Sequence, residues 1–93
     1  MARKPIKNHE FHKAVGAEIK RFRLKMDLSG CGMAREADIP KAAIFELEDG
    51  RRRLTFLDLI KICEVFELPL GEFAAHLAEV GSEFLEAEIN KRG

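Results

Sequence analysis

The stretch LSGCGMAREADIPKAAIFELEDGRRR, residues 28–53, constrains this chain more than any other feature. It sets two short helical patterns on either side of a tight turn. Ser29 is a good N-cap because its hydroxyl can accept from an amide of the first helical turn, and after it Met33, Ala34 and Ala37 recur at the spacing of one helical face. Asp38, Ile39 and Pro40 interrupt that face: Asp38 favours a turn, and Pro40, which has no amide hydrogen, suits the first position of a new helix. From there Ile44 and Leu47 supply a second apolar face, while Lys41, Ala42, Phe45, Glu46 and Asp49 point elsewhere. Gly50 stops the helix, since glycine takes a left-handed C-terminal conformation without steric penalty. Two helices of this size cannot bury a core alone and must belong to a larger bundle.

The flanking sequence supplies the bundle. A helix is expected from about Glu10 to Met26, with Phe11, Val15, Ile19 and Phe22 inward and Lys20, Arg21 and Lys25 outward. Thr55 caps another, reaching to about Glu67, with Leu59, Ile62, Cys63 and Phe66 inward. Pro69 opens the next, Leu70 to about Val80, with Leu70, Phe73, Ala74 and Leu77 on one side. Gly81 and Ser82 break and recap the chain before a last helix from Glu83 to about Lys91. No strand-type alternation or internal repeat interrupts this pattern, so the chain reads as all-α. Residues 1–9 form a basic N-terminal arm that either wraps a duplex or is disordered, residues 10–80 the helical domain, and residues 81–93 a C-terminal helix.

Phe56, Ile60 and Val65 exceed what one core stripe needs. With Phe84, Leu85 and Ile89 of the last helix they form a candidate dimer interface, packing of the tail within the monomer being the alternative.

Ninety-three residues make one domain that buries only about 60–65% of its unfolded surface, which leaves little room for an elaborate enzyme site. No nucleophile, paired carboxylate site or phosphate-binding glycine loop is present, so the chain does not read as an enzyme. Cys31 and Cys63 are too few and too far apart for a paired-cysteine zinc site or a disulfide framework, and His9, His12 and His76 show no ligand spacing with either. No metal and no cofactor are assigned. There is no membrane span and no signal-type apolar run, which makes the cytoplasm the default location.

The formal net charge is zero, but its distribution is uneven. Residues 1–25 carry eight basic side chains against two acidic, and Arg51, Arg52 and Arg53 add three more. Residues 26–50 carry six acidic against two basic, and residues 54–93 eight against three. The basic surface is therefore concentrated in the arm, the first helix and the loop after residue 50, a distribution suited to a polyanion.

Met33, Ala34, Ile39, Ile44, Glu48 and Gly50, with Ile19 and Arg23 upstream and LTFLDLIKICEVFELPLGEF downstream, together resemble the XRE, or lambda-repressor-like (Cro-type), helix-turn-helix family of transcriptional regulators over about Val15 to Leu77. The resemblance implies a five-helix domain, to which the C-terminal helix and the arm are additions. It implies that Arg23 pairs with Glu48 as a structural ion pair. It also implies that the helix from Pro40 to Asp49 enters the major groove of double-stranded DNA.

Carried over by position, the base-facing candidates are Lys41, Ala42, Ala43, Phe45 and Glu46: lysine to donate to guanine, alanine to meet a thymine methyl, glutamate to accept from a cytosine amine. Ser29 and Gly30 at a helix N-terminus, with Arg51, Arg52 and Arg53, are the phosphate-anchoring candidates. The family often has glycine where this chain has Asp27, glutamine where it has Gly30, and polar or basic residues where it has Phe45 and Glu46. The function so implied is a sequence-specific regulator, a repressor acting as a homodimer on a pseudo-palindromic operator. The alternative is a protein-interaction module, antitoxin-like or a regulatory subunit, that keeps the fold and binds a protein partner with little DNA readout.

Overall fold

The computed structural model describes residues 8–84. Five helices follow one another: α1 (Asn8–Lys25), α2 (Gly30–Ala37), α3 (Lys41–Glu48), α4 (Phe56–Phe66) and α5 (Leu70–Val80). Residues 82–84 begin a further helical turn, and no strand occurs among the described residues. The fold is all-α. Residues 8 and 9 belong to α1 rather than to the arm, because the helix starts one turn before Phe11, which packs against the core. The remainder of the expected arm, and Leu85 and Ile89 of the expected last helix, lie outside the described residues.

The first four helices each contribute one almost fully buried large side chain, Ile19, Met33, Ile44 and Ile62 in turn, and α5 adds Phe73 and Leu77. α1 packs on α3 and α5, α2 on α3 and α4, and α4 on α5. Phe22, Phe66 and Phe73 close the α1–α4–α5 side, with the Phe22 and Phe73 rings edge to face at 5.1 Å. His76 extends that cluster to Glu18. Arg21, bonded to both carboxylate oxygens, and then His76 hold Glu18 down to about 2, against the effect of its burial.

Capping follows side-chain chemistry at two starts. Ser29 accepts from the Gly32 amide at 2.9 Å and Thr55 from the Asp58 amide at 3.0 Å. α3 and α5 instead start behind Pro40 and Pro69, which stand one residue outside the helix.

The helix ends share a single device. α1 to α4 each close with a left-handed residue, Asp27, Asp38, Gly50 and Glu67. The next amide then bonds a carbonyl five residues back, from Leu28 to Arg23, Ile39 to Ala34, Arg51 to Glu46 and Leu68 to Cys63, at 2.9–3.2 Å. Three of the four use an acidic residue where glycine is the usual choice. Leu28, Ile39 and Leu68 follow them and turn back onto the core. Gly50 is glycine for an additional reason: a Cβ there would come within 2.5 Å of the Lys13 Cα. Gly16 serves the same crossing from the other helix, since its Cβ would stand 2.0 Å from the Leu47 carbonyl oxygen. α1 and α3 are thus in backbone contact.

That crossing is locked by Arg23 and Glu48, both buried. The guanidinium donates through Nε to one Glu48 oxygen at 2.7 Å and through Nη2 to the other at 3.1 Å, while Nη1 donates to the Leu28 carbonyl at 2.8 Å. Glu48 holds the guanidinium above its already high ordinary pKa.

Two stability measurements follow. Glu48→Ala leaves a buried, unpaired guanidinium and is expected to lower the denaturation free energy by about 3–5 kcal/mol; a loss below 1 kcal/mol would show that the pair is idle. Glu67→Gly relieves a left-handed, exposed, non-glycine residue and is expected to raise it by up to about 1 kcal/mol, with an unchanged midpoint counting against the strained turn.

Candidate nucleic-acid interface

α2 and α3 are eight residues each and joined by Asp38, Ile39 and Pro40. Burial divides the expected reading residues. Lys41, Ala42 and Phe45 are exposed and Glu46 is partly so, whereas Ala43 is 3% exposed and packs with Ile44 and Leu47 in the core. The expectation that Ala43 meets a base edge is therefore corrected: residues 43, 44 and 47 form the inward stripe of α3, and a small side chain on that stripe lets α3 sit close to its neighbours. Lys41, Ala42 and Phe45 occupy the outward stripe, with Lys41 in the first turn.

Gly30 and Phe45 touch. A Cβ on Gly30 would lie 2.5 Å from the Cζ of the Phe45 ring, so the first residue of α2 is buried under the aromatic side chain of α3. Ser29 remains exposed beside it, its hydroxyl oxygen already accepting from the Gly32 amide. Cys31, also exposed, is the next residue of the same turn. The first amides of α2 have no intrahelical acceptor and carry the positive end of the helix dipole, so this corner is suited to an anion.

The arginine loop follows α3 directly, and Arg51, Arg52 and Arg53 are all exposed. Two of them pair backwards onto acidic side chains at the C-terminal end of α3: Arg51 with the capping Asp49 at 3.1 Å and Arg52 with Glu46 at 3.6 Å. Arg53 makes no ion pair among the described residues. These pairs were not legible from spacing, and they place a basic group against each of the two carboxylates that would otherwise repel a phosphate. Exposed pairs of this kind contribute about 0–1 kcal/mol, so neither holds its arginine firmly in place.

Away from this corner, Phe56 is 69% and Leu57 58% exposed at the start of α4. Ile60 is half-buried, and Val65 packs partly against the monomer core. Phe84 is half-buried and lines a hollow on α1 with His9 and Lys13.

The helix-turn-helix family profile matches residues 19–73, more than half of the chain and all of α2 to α4. The chain belongs to that family, of the XRE type. Solved structures of similar fold include the restriction-modification controller protein C.AhdI from Aeromonas hydrophila, at 16% identity and TM-score 0.62 over 66% of this chain and 92% of that one. They also include the clp gene regulator ClgR from Corynebacterium glutamicum, at 20% identity and TM-score 0.68 over 88% and 87%, and a second ClgR structure at TM-score 0.65 over 82% and 94%. No curated protein sequence matches the chain.

In this helix-turn-helix unit the Gly30–Phe45 contact predicts a measurable coupling. Gly30→Ala pushes the ring aside, and Phe45→Ala removes the obstacle. A double-mutant cycle is expected to return about 0.5–3 kcal/mol of interaction energy between the two positions. A value within error of zero would show that the ring does not rest on residue 30.

Proposed function

We propose that this helix-turn-helix protein is a sequence-specific DNA-binding transcriptional regulator that acts in the cytoplasm as a homodimer, repressing from a pseudo-palindromic operator. The observation that carries the reading is the grouping of three features on one small unit. These are the capped N-terminus of α2, the outward stripe of Lys41, Ala42 and Phe45 on α3, and the exposed loop of Arg51 to Arg53. In this arrangement α3 lies in the major groove with its N-terminal side chains at base edges, and α2 crosses the backbone. Lys41 donates to guanine O6 or N7, Ala42 and the Phe45 ring make apolar contact with thymine methyls, and Glu46 accepts from a cytosine amine when released from Arg52. Ser29 and the three arginines hold phosphates and fix the register, whereas Gly30, buried under the Phe45 ring, is not available to one.

One motif makes few base contacts, so the reading pairs two copies on a two-fold site. Phe56 and Ile60, joined by Leu57, are the side chains of α4 that a partner copy would cover; Val65 packs partly against the monomer core and Phe84 lies in the hollow on α1, while Leu85 and Ile89 of the expected interface lie outside the described residues. The reading involves no cofactor and no catalytic role.

A second reading, a protein-interaction module, draws on a specific observation: Arg51 and Arg52 already neutralise Asp49 and Glu46, which leaves α3 with an apolar and nearly neutral outer face. Selection of genomic fragments at stated salt, followed by binding of the Arg51→Ala, Arg52→Ala, Arg53→Ala triple variant, separates the two. The DNA reading expects enrichment of two-fold sites by a dimer. It also expects the triple variant to lose affinity on every sequence, with a salt slope shallower by about 2–3. An empty selection, or a protein that stays monomeric and whose binding is indifferent to salt, overturns it.

A further inference from the structure

Between the outer face of α1 and the C-terminal end of α3 lies an open cleft of about 530 Å³, lined by His9, Lys13, Lys20, Glu48, Asp49 and Arg51. It exists because α1 and α3 meet backbone to backbone at Gly16 and Gly50. That crossing brings two lysines, seven residues and hence about 10 Å apart along α1, beside the first arginine of the basic loop.

The charges in this cleft do not cancel. Glu48 is buried and committed to Arg23, and Asp49 is bonded to Arg51. Lys13 and Lys20 are exposed and make no ion pair among the described residues. Glu10 lines the adjoining hollow under Phe84, which Lys13 also borders, and makes no ion pair with it. Both carboxylates of the cleft are therefore taken, and the charge left over is that of two ammonium groups. Lysine is a compact, strongly hydrated point charge on a flexible stem, suited to a phosphate that approaches from open solvent.

We propose that this cleft is a phosphate site in which Lys13 and Lys20 hold the anion, and that on a duplex the anion is a backbone phosphate next to those contacted by the Arg51 loop. The second half rests on the DNA-binding reading above. The first half does not. The footprint of the protein then extends past the helix-turn-helix onto α1, and a sequence-independent part of the affinity comes from a helix outside the motif.

The test uses the full chain, the Lys13→Ala, Lys20→Ala double variant, and Lys25→Ala, which removes one charge from α1 outside the cleft. On unrelated duplexes the double variant is expected to lose affinity equally on all sequences and to show a salt slope shallower by about 2, with Lys25→Ala near the wild type. In parallel, inorganic phosphate titrated into the DNA-free protein is expected to move the amide resonances of Lys13, Lys20, Gly50 and Arg51 in the wild type and not in the double variant. Phosphate-induced shifts with an unchanged duplex salt slope would place a free phosphate-type anion in the cleft and overturn the backbone assignment. Shifts in a protein that binds no duplex would overturn the DNA reading and leave the cleft standing. An unchanged slope together with unmoved amides would overturn the site itself.

Discussion

The buried Arg23–Glu48 pair is the constraint on which the rest of this fold depends. α2 and α3 are eight residues each, too short to be stable alone, and their orientation comes from what α1 does to them. One guanidinium reaches the last residue of α3 and the carbonyl of Leu28, just before the cap of α2. It therefore fixes both ends of the motif relative to one helix. Such a pair adds little net stability, because the desolvation of two charges offsets most of their attraction. Its consequence is geometric. Glycine at 16 and 50 lets the two backbones touch, and packing alone would tolerate some sliding at such a contact. The three directed hydrogen bonds of Arg23 admit one position only. The outward stripe of α3 and the N-terminus of α2 are presented together for that reason.

Much of this was readable from the sequence, for a physical reason. Ile19, Met33, Ile44, Ile62, Phe73 and Leu77 sit at helical spacings that leave each helix one apolar face, and burial follows that face. Ser29 and Thr55 carry their capping chemistry in the side chain itself. What escaped was whatever needs two distant segments at once. Gly16 carries no signal of its own, because its partner, the Leu47 carbonyl, is reached only after folding. The family resemblance carries Ala43 outward by position, and alanine is too weakly apolar to reveal an inward side. Asp38 signals its turn, but Asp27 and Glu67 hide theirs, since glycine is the residue that usually marks a left-handed helix end.

The zero net charge also has a structural account. Acidic side chains on a helix that enters a groove of DNA would be expected to oppose binding, yet Glu46 and Asp49 each stand beside an arginine of the following loop. The loop therefore has two uses for the same side chains. In the free protein Arg51 and Arg52 shield α3, and at an exposed site such pairs are weak enough to yield to a phosphate, whose hydrogen bonds to a guanidinium are charge-assisted and bidentate. If the arginines bind phosphate as proposed, Glu46 is left unshielded only when Arg52 has moved to one. On the proposed reading a glutamate there discriminates against bases that offer it no donor, because an unpaired carboxylate in the groove is costly.

Phe45 and Gly30 differ from the family's pattern, and the structure makes the two differences one. A residue larger than glycine at 30 would occupy the place of the ring, and without the ring a glycine at 30 would leave the start of α2 bare. Phe45 is 39% exposed, so its remaining face is still available to a partner. A ring braced against backbone presents that face at little further loss of side-chain freedom, which is how an apolar contact becomes selective as well as favourable. The exposed side of α3 then offers a rigid apolar surface flanked by Lys41 and a shielded acid, in place of a row of amide and hydroxyl groups. On the proposed DNA-binding reading, such a surface tells thymine from cytosine by the methyl group that cytosine lacks. The same reading leaves guanine to Lys41, at the N-terminal end of the same helix.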